Sequence, residues 1–184
     1  MKIDNLLLKV DSNIHLQPLQ EEEVDVLFAL VDANRPYLRE FLGWVDYNTS
    51  RAHALAFIKE EKEKAKKLES FTVGIYLSNA LVGVISLHAI DHLNQCASIG
   101  YWIAQKYQGK GIMSASVHAV IEYAFRELHL HRIELRCAVH NHKSRKIAER
   151  MGFSQEGTLI QAIHHYGTYF DAYMYGLTAS TKES

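Results

Sequence analysis

Apolar residues recur at helical spacing in the first third of the chain. The first stripe follows an acidic turn, which suits the positive end of a helix. It consists of Val24, Leu27, Leu30 and Val31. The pattern then predicts a short helix over residues 36–42, ended by Gly43. A third helix is predicted from Thr49 or Ser50, either of which can cap it, to about Lys67.

From residue 71 onward the apolar period becomes two, which is the pattern of β-strands. Three such runs follow one another at residues 71–77, 81–90 and 96–104. Short turns join them, and neighbouring strands joined in this way are antiparallel. The middle of the chain is therefore predicted to form an antiparallel meander.

The last part of the chain alternates between the two periods. A helical stripe over residues 113–128 leads to a strand at 132–139, a helix at 142–151, and two final strands that turn near residue 166. A β-helix-β crossover beside a meander and a hairpin indicates a mixed-sheet domain of the α/β or α+β class. At this length we expect one domain that spans residues 1–184.

The composition of the 184-residue chain excludes several classes of function. Its formal net charge of -1 leaves no broad basic face for non-specific binding to nucleic acid. The N-terminal apolar run is too short for a signal sequence, and no stretch approaches the ~20 apolar residues of a membrane span. We therefore expect a soluble cytoplasmic protein that binds neither a membrane nor nucleic acid directly.

Cysteine and histidine residues give no metal-site pattern. Cys96 and Cys137 lack metal-ligand spacing and lie in apolar runs, which predicts buried free thiols in a reducing cytosol. The 11 histidines include neither an HExxH motif nor a cysteine-rich partner set. No metal is expected.

The segment YQGKGIMS, residues 107–114, joins a predicted strand to a predicted helix. A helix N-terminus has unpaired N–H groups and a partial positive charge, and glycine lets the backbone approach a ligand, so such a turn can hold a phosphate or diphosphate. It is not a Walker loop, because Gly111 follows Lys110, and Ser114 stands where a dinucleotide motif has its third glycine. An ordinary connection without a ligand is the alternative.

Residues 100–125 and 131–157 resemble the GNAT superfamily of acyl-CoA-dependent N-acetyltransferases, and most closely the branch that acetylates the N-terminal amines of ribosomal proteins. In that family a Q/R-x-x-G-x-G/A turn binds the diphosphate of coenzyme A. Gln108 and Gly111 match the turn, and Met113 replaces its final small residue. An Asn-x-x-Ser sequence and a Met-Gly-Phe sequence follow at spacings similar to those of the family, beginning at Asn141 and Met151.

The resemblance implies the GNAT acyl-CoA N-acyltransferase fold, a mixed and mostly antiparallel sheet flanked by helices on both faces. It also implies that the strand at 96–104 splays from its parallel neighbour, so that backbone groups near residues 102–104 bind the pantetheine arm of acetyl-CoA. The implied cosubstrate-binding residues are Trp102, Ile103, Ala104, Gln108, Gly109, Lys110, Gly111, Ile112, Met113, Ser114, Asn141 and Ser144.

The expected reaction is direct attack of an amine on the thioester in a ternary complex. The tyrosine that many GNAT members use as an acid is replaced by Ala148, and Ser144 fits the serine assigned that role in the ribosomal branch. A helix-cap role for Ser144 is the alternative. Glu156 is the predicted base, with Asp171 as a second candidate, both by location alone; surface roles are the alternative.

The acceptor amine is expected to be a protein N-terminus, possibly that of a ribosomal protein. A small amine such as a polyamine or antibiotic, or a CoA sensor without catalysis, is the alternative. At most one of His164 and His165 can face the acceptor groove, since adjacent strand residues point to opposite faces. Arg35, Tyr37 and Trp44 are further candidates for acceptor contact, although a core role is favoured for Trp44. The tyrosine-rich C-terminal run suggests a homo-oligomer.

Overall fold

A computed structural model describes residues 6–179, which form eight strands and four α-helices. The strands are β1 (Leu8–Lys9), β2 (Ile14–Gln17), β3 (Phe71–Leu77), β4 (Ala80–Asp91), β5 (Cys96–Ile103), β6 (Arg132–Ala138), β7 (Ser154–His165) and β8 (Thr168–Thr178). The helices are α1 (Val24–Leu38), α2 (Arg51–Lys66), α3 (Ile112–Arg126) and α4 (His142–Arg150). None of these helices is long and apolar enough to cross a membrane.

The strands form one mixed sheet in the order β1-β2-β3-β4-β5-β6-β8-β7. Among the described residues β5 and β6 form the one parallel pair, joined by the crossover helix α3, and every other pair is antiparallel. The predicted meander of β3, β4 and β5 and the final hairpin are therefore confirmed. The mixed, mostly antiparallel fold class is confirmed with them.

Two hydrophobic cores cover the two faces of the sheet. Phe71, Val73 and Ile75 of β3 pack with apolar residues of α3 and α4. Tyr76 of β3 and Val84 of β4 belong to the other core, which contains apolar residues of α1 and α2. The period-two pattern of β3 predicted one buried face correctly. It did not predict that the other face is buried as well.

The central strands β5 and β6 diverge after a short parallel contact. They pair only over residues 96–98 and 132–134, as the resemblance implied. Beyond that point β5 continues against β4 as far as Ile103, while β6 continues against β8 as far as Ala138. The divergence opens the sheet in its centre, beside the N-termini of α3 and α4.

The predicted short helix at residues 36–42 does not form as a separate element. Helix α1 runs through Pro36 and ends at Leu38, and a 3-10 helix at Gly43–Asp46 follows. Pro36 removes one intrahelical donor, and the helix ends two residues after it, at Leu38. The Arg35 guanidinium donates to the backbone oxygens of Val45 and Asn48, which ties the following segment to α1. These contacts hold the segment after α1 against the helix, although Pro36 and Gly43 predicted a separate short helix there.

Candidate active site

A cleft of about 370 Å³ lies where β5 and β6 diverge. The end of α1, the end of β5, the glycine turn and the first residues of α3 and α4 surround it. Most of the residues predicted to bind the cosubstrate line this cleft. They are Trp102, Ile103, Gln108, Gly109, Gly111, Ile112, Met113, Ser114, Asn141 and Ser144.

Two of the predicted residues lie outside the cleft. Ala104 is fully buried, and its N–H donates to the carbonyl of Val82 at 2.9 Å. Lys110 is exposed and places its ammonium group 5.6 Å from the centre of the Tyr107 ring. The structure therefore does not bring Ala104 or the Lys110 side chain to the cleft.

The glycine turn presents unpaired backbone donors. Gly109 and Gly111 have φ angles of +71° and +79°, in the left-handed region that favours glycine, and Gly111 is the N-cap of α3. Within residues 6–179 the amides of residues 109–114 have no hydrogen-bond acceptor. Free N–H groups at the positive end of a helix form a site for a diphosphate. The prediction that this turn leads into a helix is confirmed.

Basic side chains of α4 line the same cleft. Lys143, Lys146 and Arg150 recur at a spacing that places them on one face of the helix. Arg150 Nη1 donates to Ser114 Oγ at 2.6 Å and so connects α4 to the first turn of α3. Sequence reasoning missed these three residues, although their helical spacing was a signal that could have identified them.

Gln108 connects the two sides of the cleft. Its side-chain amide donates to the Tyr37 hydroxyl on α1, and its Oε1 accepts from Lys143 Nζ at 2.9 Å. The Lys143 ammonium also lies 5.3 Å from the centre of the Tyr37 ring. Tyr37, a candidate for acceptor contact, thus lies in the predicted cosubstrate cleft.

The backbone of β5 offers fewer free groups to the cleft than expected. Ala104 bonds to Val82, and the register pairs Trp102 with Val84. Since backbone groups alternate in direction along a strand, Ile103 directs its N–H and C=O away from β4 and into the opening. Of the three predicted residues, Ile103 is the one whose backbone faces the gap.

Ser144 lies at the inner end of the cleft. It occupies the first turn of α4, and its backbone N–H donates to Oδ1 of the N-cap residue Asn141 at 3.1 Å. The Tyr101 hydroxyl from β5 lies 3.1 Å from Ser144 Oγ. Burial raises the pKa of the neighbouring Cys137 thiol, and a hydrogen bond from Ser144 lowers it in part. Sequence reasoning did not select Tyr101.

A second cavity of about 150 Å³ meets the cleft at Ser144. The two spaces share Phe41, Leu42, Tyr101, Asn141 and Ser144 as lining residues. The second cavity lies against β6 and the final hairpin, on the other side of the divergence from the glycine turn.

Aromatic rings and few charges line this second cavity. His140 lies between Phe41 and Phe170, at centroid distances of 5.5 and 4.7 Å. Among its lining residues Glu40 carries the one carboxylate and Arg136 the one guanidinium. The cavity is thus suited to a small group with at most one or two charges.

The structure distinguishes the two consecutive histidines. His165 lines the second cavity, and its Nε2–H donates to the carbonyl of Arg39 at 2.7 Å. His164 packs against Tyr169 at 4.8 Å and lines neither space. Adjacent strand residues point to opposite faces, so the placement follows from the strand itself.

Neither predicted base lies at the cleft. Both oxygens of the Glu156 carboxylate accept from the Arg132 guanidinium, which also donates to Glu134 at 2.9 Å. Asp171 Oδ1 accepts from the backbone N–H of Gln161 at 2.8 Å, beside an irregularity in the pairing of β7 and β8. The Glu156 carboxylate thus binds a residue of β6, and the Asp171 carboxylate binds a residue of β7. Neither carboxylate lines the cleft or the second cavity.

We expect Glu156→Gln to leave turnover unchanged and to lower the unfolding temperature slightly. The Arg132 guanidinium holds the pKa of the Glu156 carboxyl below its ordinary value of 4.5. Because the pKa of Glu156 is lower in the folded protein than in the unfolded chain, its carboxylate stabilises the fold at pH values above the unfolded-state pKa. This stabilisation is lost as the pH falls through the lowered pKa of the folded protein. The variant should unfold about 1–3 °C below the wild type at pH 7.

Thermal unfolding at pH 7 and at a pH well below 4.5 measures this difference, which should disappear at the lower pH. A tenfold fall in turnover would restore Glu156 as a base.

The remaining candidates have structural roles or lie apart. Trp44 is 38% exposed and packs against Trp102 at 6.2 Å, so the favoured core role is wrong. Cys96 and Cys137 are free thiols, of which Cys137 is buried and Cys96 partly exposed. Within residues 6–179 no group of three or more histidine, cysteine or acidic residues is arranged to hold a metal ion.

Comparison with known proteins identifies similar sequences and structures. The family described as Acetyltransferase (GNAT) domain matches residues 13–154. The chain is 34% identical over 170 residues to YdaF of Bacillus subtilis (strain 168), whose name proposes a ribosomal N-acetyltransferase, covering 92% of this chain and 93% of that protein. It is 30% identical over 168 residues to the ribosomal-protein-serine acetyltransferase of Escherichia coli (strain K12), covering 91% and 94%.

A solved structure is similar to the chain over almost its whole length. It is RimL, a ribosomal L7/L12 alpha-N-protein acetyltransferase, in complex with coenzyme A. The TM-score is 0.92 at 31% identity, covering 94% of this chain and 98% of that one.

Proposed function

The chain belongs to the GNAT family of acetyltransferases and is an N-acetyltransferase, and we propose that it transfers acetyl from acetyl-CoA to the N-terminal amine of a protein. The first candidate acceptor is a ribosomal protein, because two relatives are named for that activity. The reaction takes place in a ternary complex without a covalent enzyme intermediate. We place it in the cytoplasm, where free thiols such as Cys96 and Cys137 persist.

The observation that carries the proposal is the continuity of the cleft. Unpaired amides of the glycine turn lie at one end, and Ser144 lies at the other, where the second cavity begins. The amides and the basic residues Lys143, Lys146 and Arg150 suit the phosphates of a CoA thioester. The pantetheine arm then follows the free backbone edge of Ile103, and the thioester reaches Ser144.

The amine attacks the thioester carbonyl from the second cavity. A C–N bond forms, the C–S bond breaks, and one proton passes from the amine nitrogen to the departing sulfur. A protein N-terminal amine has a pKa of ~7.7–8.0 against ~10.4 for lysine, so a useful fraction is neutral without a strong base. This fits a site in which neither Glu156 nor Asp171 reaches the cleft.

Ser144 is proposed to serve the leaving group. Its hydroxyl lies where the two spaces meet, and a hydrogen bond or proton from this group stabilises the sulfur as the C–S bond breaks. Ala148, at the position of the family's usual tyrosine, is fully buried and has no hydroxyl to offer.

The second cavity favours a peptide terminus over a polyamine. A polyamine carries several ammonium groups and needs several carboxylates, whereas the lining residues include one carboxylate, on Glu40, together with the Arg136 guanidinium. A spermidine N(1)-acetyltransferase of Vibrio cholerae is 34% identical to the chain, but over 91 residues that cover only 50% of it. The matched length therefore gives less support to that substrate class.

Thiol release from acetyl-CoA with a panel of amines tests the proposal. We expect peptides with a free N-terminus to react at least about tenfold faster than spermidine or an aminoglycoside, because one neutral amine suits the cavity. A matched peptide with a blocked N-terminus and an internal lysine is the control, and mass spectrometry of the product identifies the acetylated nitrogen. Faster reaction with spermidine would establish a small-molecule enzyme. Binding of coenzyme A without turnover of any amine would establish a sensor.

A further inference from the structure

Tyr101 occupies the junction between the cleft and the second cavity and lines both. It belongs to β5, on the side of the divergence opposite α4. Its hydroxyl spans the gap and lies 3.1 Å from Ser144 Oγ and 3.5 Å from the Ser144 carbonyl oxygen. This contact joins β5 to α4 across the opening, at the position where the thioester is proposed to lie.

The hydrogen bond between the two hydroxyls can run in either direction, and the acceptors around Tyr101 favour the Tyr101 hydroxyl as the donor. Within the described residues the Tyr101 hydroxyl contacts two acceptors, both on Ser144, and the carbonyl oxygen at 3.5 Å lies beyond the usual length of an O–H···O hydrogen bond. The Tyr101 hydrogen therefore has one well-placed acceptor, Ser144 Oγ at 3.1 Å. Burial raises the pKa of the Tyr101 phenol, so the hydroxyl keeps its hydrogen throughout the neutral range. Ser144 Oγ therefore receives a hydrogen bond, and its own hydrogen is directed elsewhere.

The other polar atoms around Ser144 are consistent with a hydrogen bond that runs from the Tyr101 hydroxyl to Ser144 Oγ. The backbone N–H of Ser144 is already bonded to Asn141 Oδ1 at 3.1 Å, which fixes the position of the residue in the first turn of α4. The remaining neighbour of the hydroxyl is the buried Cys137 thiol, a weak acceptor. A departing sulfur at the junction would be the stronger acceptor, since it develops negative charge as the C–S bond breaks.

We propose that Tyr101 is a positioning residue that holds the Ser144 hydroxyl with its hydrogen toward the departing sulfur. The inference rests on the proposed function, since it acts through Ser144. Tyr101 gives up no proton; it donates a hydrogen bond to Ser144 Oγ, which strengthens the donation by Ser144 to the sulfur. Net proton transfer remains from the amine nitrogen to the sulfur.

A double-mutant cycle tests the inference, with kcat measured for the wild type, Tyr101→Phe, Ser144→Ala and the double variant. Tyr101→Phe removes one oxygen and keeps the ring, and we expect a fall in kcat of about tenfold. The double variant should match Ser144→Ala within about twofold, because Tyr101 has no role once Ser144 lacks a hydroxyl. The Kd for coenzyme A should be the same in all four proteins.

Tyr76→Phe is the matched control. The Tyr76 hydroxyl donates to Glu23 Oε1 at 2.7 Å in the core formed with α1 and α2, and Tyr76 lines neither the cleft nor the second cavity. This variant should unfold at a lower temperature with kcat unchanged. If Tyr101→Phe behaves in the same way, Tyr101 is structural and the inference is wrong.

The outcomes separate this inference from the proposed function. If the single effects multiply in the double variant, Tyr101 acts independently of Ser144, and the inference fails while the proposed function stands. If Ser144→Ala keeps full kcat, the role of Ser144 fails together with that of Tyr101. If the wild type acetylates no amine, the proposed function fails and the inference fails with it.

Discussion

Replacement of Gly111 by valine is expected to weaken the binding of coenzyme A by about 100-fold. Gly111 has a φ of +79°, where a β-branched side chain is strained, and it is the N-cap of α3. No atom lies within 4 Å of a Cβ placed there, so the valine would occupy the open space above the turn, where the diphosphate is proposed to lie. Isothermal titration calorimetry with coenzyme A measures the loss.

Gly152 supplies the matched control for this prediction. It also has a positive φ, +81°, with no atom within 4 Å of the position that a Cβ would take, and it follows α4 without lining the cleft. Gly152→Val should therefore show a similar loss of thermal stability and an unchanged Kd for coenzyme A. Equal loss of affinity in both variants would mean that backbone strain, not the turn, decides binding.

The parts of the fold that were predictable from the sequence depend on local chemistry. The period-two runs predicted β3, β4 and β5, although β3 is buried on both faces, and Ser50 caps α2 as expected. The glycine turn was predictable because a positive φ favours glycine, which stands at residues 109 and 111, and because an apolar stripe at helical spacing follows it. The divergence of β5 from β6 came from the family resemblance, since no periodicity encodes it.

The contacts that complete the site could not be predicted in this way. Tyr101 and Ser144 are 43 residues apart, and Gln108 and Tyr37 are 71 apart. Such pairs depend on strand register and on how helices pack across the sheet, which a single sequence does not specify. For the same reason Glu156 was selected as a base, although its carboxylate is paired with Arg132 on another strand.

Substitutions in the glycine turn and at Ser144 should affect different quantities, the affinity for coenzyme A in the first case and kcat in the second. The turn contacts parts of the cosubstrate that do not change during the reaction, so its loss weakens ground-state and transition-state binding together. Ser144 is proposed to contact the sulfur only as its charge develops. Its loss should therefore lower kcat and leave the affinity for coenzyme A unchanged.

Ser144→Ala is accordingly expected to lower kcat for a peptide N-terminus by about 100-fold or more, the usual range for a positioned proton donor. The side chain does not cap α4, because Asn141 Oδ1 holds the Ser144 backbone N–H, so the helix should remain intact. Ser116→Ala makes the same chemical change at a buried hydroxyl that donates to the Ile112 carbonyl at 2.9 Å within α3. Steady-state thiol release should detect the loss of kcat in the first variant and not in the second. An equal rate for wild type and Ser144→Ala would contradict the role of Ser144 and require a water molecule to protonate the sulfur.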